Sequence, residues 1–318
     1  MTREVPAQVG GSALPGGVMM RTPHRVAVAV RTEPEGLIAT ETFTPGTPRG
    51  RWARWPLIRG LVAMRMALST GKRAMVTGER LRYGEGAGDP DGADDRLGVL
   101  GGAAVVAGAL AGGFIQILAF RVGPIVIAKE LGLTGAAFIV ADAAIRLGLL
   151  LTTLVVTSWL PPFRRILRYH GAEHKAIAAH EAGGPLTAGA AAGFSRFHRR
   201  CGTSFLVVSA LVSIAVYGAV LAVTGVFTYP ALIATRLLGA PVVTAITFEL
   251  QRQASRRTHG PWTLVAAPGM WAQRLTTREP GEPELEVAVA ALEAALAPGA
   301  DTDPSVDPAG DDVRVGLA

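Results

Sequence analysis

Long runs of uncharged residues occupy the middle of the chain and predict helices that cross a membrane. Residues 97–120 include 24 positions without a charge, about 36 Å of α-helix, which exceeds the roughly 30 Å of a bilayer core. Residues 147–163 form a second candidate, and the 34 uncharged residues of 202–235 are too many for one span. Turn-forming residues at 224–230 predict a reversal, followed by a return over 230–250. We therefore expect about four membrane helices.

The N-terminal residues 1–83 show a different pattern, which predicts a small α+β region. Two short alternating runs within 26–43 surround the turn-forming residues 33–36 and predict a β-hairpin. A basic helix within 51–83 has one apolar face, formed by Leu57, Leu61, Met64 and Leu68. This pattern is typical of a helix at the membrane interface, and a helix packed on the hairpin fits it equally well.

Changes in composition divide the remaining chain. Residues 84–95 are an acidic linker, and 96–258 form a membrane domain that includes a histidine-rich loop at 161–200. A C-terminal region at 259–297 ends in an amphipathic helix, and 298–318 are an acidic tail that we expect to be disordered. The expected fold class is mainly α, a polytopic helical membrane protein with a small cytoplasmic N-terminal α+β region.

Composition and charge narrow the function classes. With 49% hydrophobic and 18% charged residues, the chain is neither disordered nor an ordinary soluble protein. One cysteine excludes a disulfide framework. The sequence contains no nucleotide-binding glycine loop. It also shows no DNA-reading helix, so we expect no nucleic acid partner. The net charge is +6, and basic residues cluster in the 161–200 loop. The positive-inside rule therefore predicts that this loop and both termini lie in the cytoplasm, where anionic lipid head groups are candidate partners.

Residues 168–181 contain the groups best suited to chemistry. If this segment is helical, His170, His174 and Glu181 lie within about 40° of one another around the axis, with Glu173 beside them. Two imidazoles one turn apart and a carboxylate can bind a divalent ion such as zinc. His170-x-x-Glu173-His174 is also the inverted motif of one metallopeptidase group, in which the histidines hold zinc and the glutamate activates water. A solvated helix face beside a membrane explains the same residues without a metal.

A second group of candidate residues follows at 195–205. His198 is a candidate fourth ligand. Cys201, next to two arginines, is a candidate thiolate ligand or reactive thiol, and an inert small residue at a helix start fits the pattern as well.

Four ordered blocks of sequence carry a family resemblance: GGVMMRTP at 16–23, YHGAEHK at 169–175, HRRCGTSF at 198–205 and LTTREP at 275–280. With these blocks the chain resembles the YqhQ-like family of bacterial multi-pass membrane proteins. That family rests on a domain of unknown function and is described as predicted metal-dependent enzymes. The resemblance covers about residues 16–297.

The resemblance implies a metal site in the histidine loop. The motif positions that carry over are His170, Glu173, His174, Glu181, His198 and Cys201, with Lys175 in the same block. Two positions depart from the family pattern: Thr22 stands where glycine is usual, and Arg199 stands where proline is usual. Neither departure changes a predicted ligand.

The first functional hypothesis is a metal-dependent membrane enzyme, with hydrolase as the favoured class and Zn²⁺ as the favoured metal. His170, His174, Glu181 and His198 would hold the metal, and Glu173 would act as general base.

Two alternatives stay open. One is a non-enzymatic membrane scaffold or assembly factor with a basic cytoplasmic surface. The other is a transporter, which would use charges within the spans such as Asp142 and Arg236 if they face a common interior. The substrate cannot be inferred from the sequence.

Overall fold

The computed structural model describes residues 8–48, 50–84, 111–257 and 259–297, which are mainly helical with one small sheet. The strands are β1 (Gly10–Leu14), β2 (Gly17–Arg21), β3 (Val26–Arg31) and β4 (Ile38–Phe43), an antiparallel meander in chain order. β3 and β4 form the hairpin that the sequence predicts around 33–36, and β1 and β2 extend it beyond that prediction. The fold class is as expected: helical, with candidate membrane spans and a small N-terminal sheet.

The helices account for most of the described chain. In order they are α1 (Ile58–Tyr83), α2 (Ala111–Glu130), α3 (Gly135–Trp159), α4 (Pro161–Glu181), α5 (Ala188–Ala192), α6 (Gly202–Thr224), α7 (Tyr229–Leu238), α8 (Ala240–Arg256), α9 (Trp262–Thr276) and α10 (Glu282–Leu296). The amphipathic helix predicted within 259–297 corresponds to α10. Residues 85–95 of the predicted linker, the predicted tail and 97–110 of the first predicted span lie outside the described residues.

Side chains of β3 alternate between two helical layers, so that both faces of the sheet are buried. Val26, Val28 and Val30 belong to a core shared with α1. Ala27 and Ala29 belong to a second core, shared with α4 and α10. This alternation follows from the two-residue period of a strand. The sheet therefore fixes α4 on one side and α1 on the other.

In the part of the chain that the structure describes, three helices, α2, α3 and α6, are long and apolar enough to cross a membrane. α7 and α8 pass the same test only as a pair and are bent by 42° where they meet, which gives up to four spans. Pro241, in the first turn of α8, cannot donate a backbone hydrogen bond, and this accounts for the break.

The second span differs from its predicted limits. α3 begins at Gly135, so Asp142 and Arg146 lie inside the helix, where an ion pair between them allows burial. The prediction also runs past the end of the helix, because Leu160 adopts an extended backbone before Pro161. A residue that precedes proline is disfavoured in the helical conformation, so α4 starts as a separate helix.

Helix α1 packs on the sheet with a face other than the apolar face predicted from the sequence. Its buried residues include Ala63 and Ala74, and Arg59 forms an ion pair with Glu249 of α8. Leu61 and Leu68 of the predicted face are exposed. The helix thus packs on the protein and also keeps an outward apolar face.

Candidate metal centre

Helix α4 carries the histidine pair and is positioned by its two ends. Pro161 and Pro162 form its first turn, where a missing backbone N–H costs nothing. Gly183, with a φ of 70°, follows its C-terminus in the left-handed conformation that glycine tolerates best. The helix confirms the expected secondary structure of the segment, and it places His170 and His174 one turn apart on the same face.

His170 makes one contact with each ring nitrogen. Its Nδ1 lies 2.7 Å from the carbonyl oxygen of Thr276, at the end of α9. Its Nε2 lies 3.2 Å from Sγ of Cys201. Because a carbonyl oxygen only accepts hydrogen bonds, Nδ1 carries the proton, and the Nε2 lone pair points toward the sulfur.

His174 repeats this arrangement. Its Nδ1 lies 2.6 Å from the carbonyl oxygen of Arg196, so this ring also has its proton on Nδ1. The centroids of the His170 and His174 rings are 4.5 Å apart. Hydrogen bonds that hold Nδ1–H and leave Nε2 free are the usual means by which proteins orient histidine ligands.

Cys201 completes the group. It is the N-cap of α6, and its Sγ accepts a weak hydrogen bond from the backbone N–H of Thr203 at 3.4 Å. Potential ligand atoms of His170, His174 and Cys201 all lie within 4.8 Å of one another. In a tetrahedral zinc site nitrogen and sulfur ligands are about 3.5 Å apart, as bond lengths of about 2.0 and 2.3 Å require. The three side chains therefore fit a divalent ion after small movements.

Burial lowers the pKa values of two histidines at this site, His174 and His198. The His174 side chain is fully buried, and desolvation lowers its pKa and favours the neutral form that binds metals. Desolvation also lowers the pKa of His198, although the nearby carboxylate of Glu173 opposes this shift.

Glu173 is the buried carboxylate beside this group. It packs against β1, where a Cβ on Gly11 would lie 2.8 Å from its Cγ. Desolvation raises its pKa to about 7, against the opposing effect of His170 and His198. Its Oε2 has no hydrogen-bond partner in the described part of the chain.

Glu181 and His198 contact each other and lie outside the three-residue group. Glu181 forms an ion pair with Arg200, and its other oxygen lies 3.3 Å from Nε2 of His198. The His198 ring centroid is 5.7 Å from that of His174. Glu181 shares the angular position of the histidines, but seven residues of rise place it about 10 Å along the axis from His174. The structure thus brings together two of the four predicted ligands and adds Cys201.

Residues 273–280 contact the segments that carry the site, and the pattern of the sequence predicts no role for them. Gln273 is fully buried and makes two hydrogen bonds with the backbone of His198, at 2.8 and 2.7 Å. A Cβ on Gly171 would lie 2.0 Å from the carbonyl oxygen of Arg278, so only glycine permits this approach. Lys175 is buried, pairs with Glu279 and donates to a backbone carbonyl of α5. The LTTREP block at 275–280, one of the four blocks that carry the family resemblance, is the sequence signal that points to this segment.

Comparison with known proteins supports the resemblance. A family described as "Protein of unknown function (DUF1385)" matches residues 55–298, which is most of the chain. The chain belongs to this family. It is 28% identical to "Uncharacterized protein YqhQ" of Bacillus subtilis (strain 168) over 295 residues, covering 90% of this chain and 91% of the relative. No solved structure matches the chain.

Proposed function

We propose that this DUF1385 protein is a metal-dependent membrane enzyme that holds one divalent ion, preferably Zn²⁺, on His170, His174 and Cys201. One observation carries the proposal: both Nδ1 atoms face backbone carbonyls, so both Nε2 lone pairs are free for an ion near the sulfur. Two nitrogens and one sulfur suit zinc, and three protein ligands are typical of catalytic rather than structural zinc sites.

A hydrolase is the reaction class that this donor set favours. When bound, a zinc ion would supply Lewis-acid chemistry for the attack of water on a carbonyl or phosphoryl group. Glu173 would accept the proton from that water. Its burial beside the histidines and its unpartnered oxygen support this role.

The proposed location is the cell membrane, with both termini and the metal site in the cytoplasm. The support is the concentration of basic residues between α3 and α6 and the positive-inside rule. An even number of spans would return the chain to the side on which it starts.

A lipid-binding scaffold is the second candidate function, and one cleft favours it. A polar cavity of about 450 Å³ lies beside Trp159, at the end of α3. Among the described residues, its lining has one acidic side chain, Glu279, and four arginines: Arg168, Arg196, Arg274 and Arg278. Anionic lipid head groups match this charge, with or without catalysis nearby.

Metal content of the purified full-length protein tests the enzyme proposal. We expect about one zinc per chain by inductively coupled plasma mass spectrometry, and at least a tenfold loss in His170→Ala, His174→Ala and Cys201→Ser. His180→Ala is the matched control, on the same helix but outside the group, and should keep its metal.

Two further variants separate the predicted ligand sets. Glu181→Gln and His198→Ala should retain zinc if His170, His174 and Cys201 are the ligands, and should lose it if the set predicted from the sequence is correct. Wild-type protein that is folded, monodisperse and free of metal would contradict both. In that case, rapid alkylation of Cys201 would support a thiol nucleophile with His170 as its base.

A further inference from the structure

A cluster of buried charges lies inside the helical bundle. Oδ2 of Asp142 accepts hydrogen bonds from Arg146 at 2.5 Å and from Arg236 at 2.7 Å. Arg146 also donates to Ser213 of α6 at 3.0 Å. Asp142, Arg146 and Arg236 are each less than a tenth exposed. The cluster therefore joins α3, α6 and α7 in their interior.

The cluster carries more positive than negative charge. Arg121, in the π-helical turn of α2, donates to the carbonyl oxygen of Arg236 at 2.9 Å and contacts the Tyr217 hydroxyl at 3.3 Å. Two guanidinium groups, those of Arg146 and Arg236, thus contact Asp142, which is the single carboxylate that the described residues bring into hydrogen-bond contact with them. The Tyr217 ring lies 4.2 Å from the Arg236 guanidinium, which offsets part of the excess positive charge. An uncompensated charge in a membrane interior is strongly destabilising.

Arg236 also has unused donors. Its Nε and Nη1 atoms are buried and have no hydrogen-bond partner among the described residues. A buried donor without a partner is destabilising, more so when it is charged. Oδ1 of Asp142 is buried without a partner as well, but the two guanidinium charges outnumber this one carboxylate, and the excess positive charge favours an anion.

A cavity next to Arg236 offers space for one. Its volume is about 180 Å³, and Tyr217 and Arg236 lie in its lining. Leu221 and Leu232 form a buried, apolar part of the cavity wall. Val220 and Val226, also in the lining, are more than one-third exposed. Val220 lies on the outer surface of the candidate span α6 and Val226 in the turn at its end, so the cavity opens at the edge of the bilayer, where a lipid head group can enter.

This cavity is remote from the metal centre. Tyr217 is about 22 Å along α6 from its first residue, where Cys201 caps the helix. The Arg236 cavity therefore lies toward the opposite end of the bundle.

We propose that the cavity binds the phosphate group of an anionic phospholipid, with Arg236 as its main contact. A phosphate diester brings one negative charge and several acceptors, and guanidinium groups bind it with paired hydrogen bonds. The apolar walls and lipid-facing rim favour an amphiphile over a free ion. The binding needs no catalytic activity and does not depend on the metal site.

Lipid titration of the full-length protein in neutral detergent tests this site. Phosphatidylglycerol should raise the unfolding temperature of the wild type and stay bound in native mass spectrometry, whereas phosphatidylcholine should do so far less. Arg236→Leu should weaken phosphatidylglycerol binding at least tenfold, and Arg236→Lys should retain part of it. Arg80→Leu, on helix α1 where the arginine pairs with Glu41 of β4, is the matched control and should leave this binding unchanged.

A second variant covers the case in which Arg236→Leu does not fold. Val226→Trp fills the rim of the cavity without touching the charge cluster, and should also abolish phosphatidylglycerol binding. Wild-type affinity in either folded variant would overturn the proposal. A thermal shift with inorganic phosphate equal to that with phosphatidylglycerol would overturn the lipid assignment, and no shift with either would show that water alone fills the cavity and overturn the site.

Discussion

At the scale of residues, the candidate site depends on backbone carbonyls as much as on side chains. The spacing of His170 and His174 is visible in the sequence, and the structure keeps them together. Cys201 is one of the candidate ligands in the sequence, but spacing does not predict its position beside the histidines, because a separate helix brings it to them. Glu181 is a predicted ligand that the structure places away from the histidines. The prediction used only its angle around the helix, which does not include distance along the axis. The carbonyl groups of Thr276 and Arg196 cannot be predicted from a pattern of ligand residues, because they belong to the backbone.

Gly171 tests whether this backbone packing supports the site. Alanine there would place its Cβ 2.0 Å from the carbonyl oxygen of Arg278 and would push that segment away from α4. We expect Gly171→Ala to lower the free energy of unfolding by about 1–3 kcal/mol and to reduce zinc content, because the Thr276 carbonyl would leave His170. Denaturant unfolding in detergent and metal analysis measure the two effects.

Gly189 provides the control for this substitution. It is helical and has open space where a Cβ would lie, so Gly189→Ala should be neutral or stabilising by up to about 1 kcal/mol. Equal unfolding free energies and zinc contents in Gly171→Ala and the wild type would contradict the packing argument.

At the scale of elements, the hydrophobic pattern predicts that a helix or strand exists better than it predicts where that element begins and ends. The turn at 224–230 lies where α6 ends at Thr224 and α7 begins at Tyr229. The sequence does not predict the start of α3, because the charge of Asp142 is typical of the end of a membrane helix. Its ion pairs with Arg146 and Arg236 allow it to lie inside the helix instead. The strand β2 is buried along its length, so its sequence lacks the alternation that reveals β4. Long-range partners decide each of these cases.

At the scale of the whole molecule, the candidate metal centre lies where the bundle meets the sheet. α4 follows α3 directly and packs on the sheet, while α9 reaches the site from the C-terminal side. The sequence predicts a helical membrane protein with a small N-terminal sheet. It does not predict this junction, because the contacts join residues more than a hundred positions apart, as His170 and Thr276 do.

The proposed orientation rests on the basic residues between α3 and α6. Alkaline phosphatase, which is active only outside the cytoplasm, should be inactive when fused after Ala297 and active when fused after Gly225, at the end of α6. An active fusion after Ala297 would contradict a cytoplasmic metal site, and a fluorescent protein fused at the same position is the complementary control.

The central claim is that His170, His174 and Cys201 bind one ion together. X-ray absorption spectroscopy of the zinc in purified protein tests this directly. We predict one sulfur ligand at about 2.3 Å and two imidazole nitrogens at about 2.0 Å in the wild type, and loss of the zinc signal in Cys201→Ser. A zinc spectrum without sulfur, or a full zinc signal in Cys201→Ser, would contradict binding by these three residues.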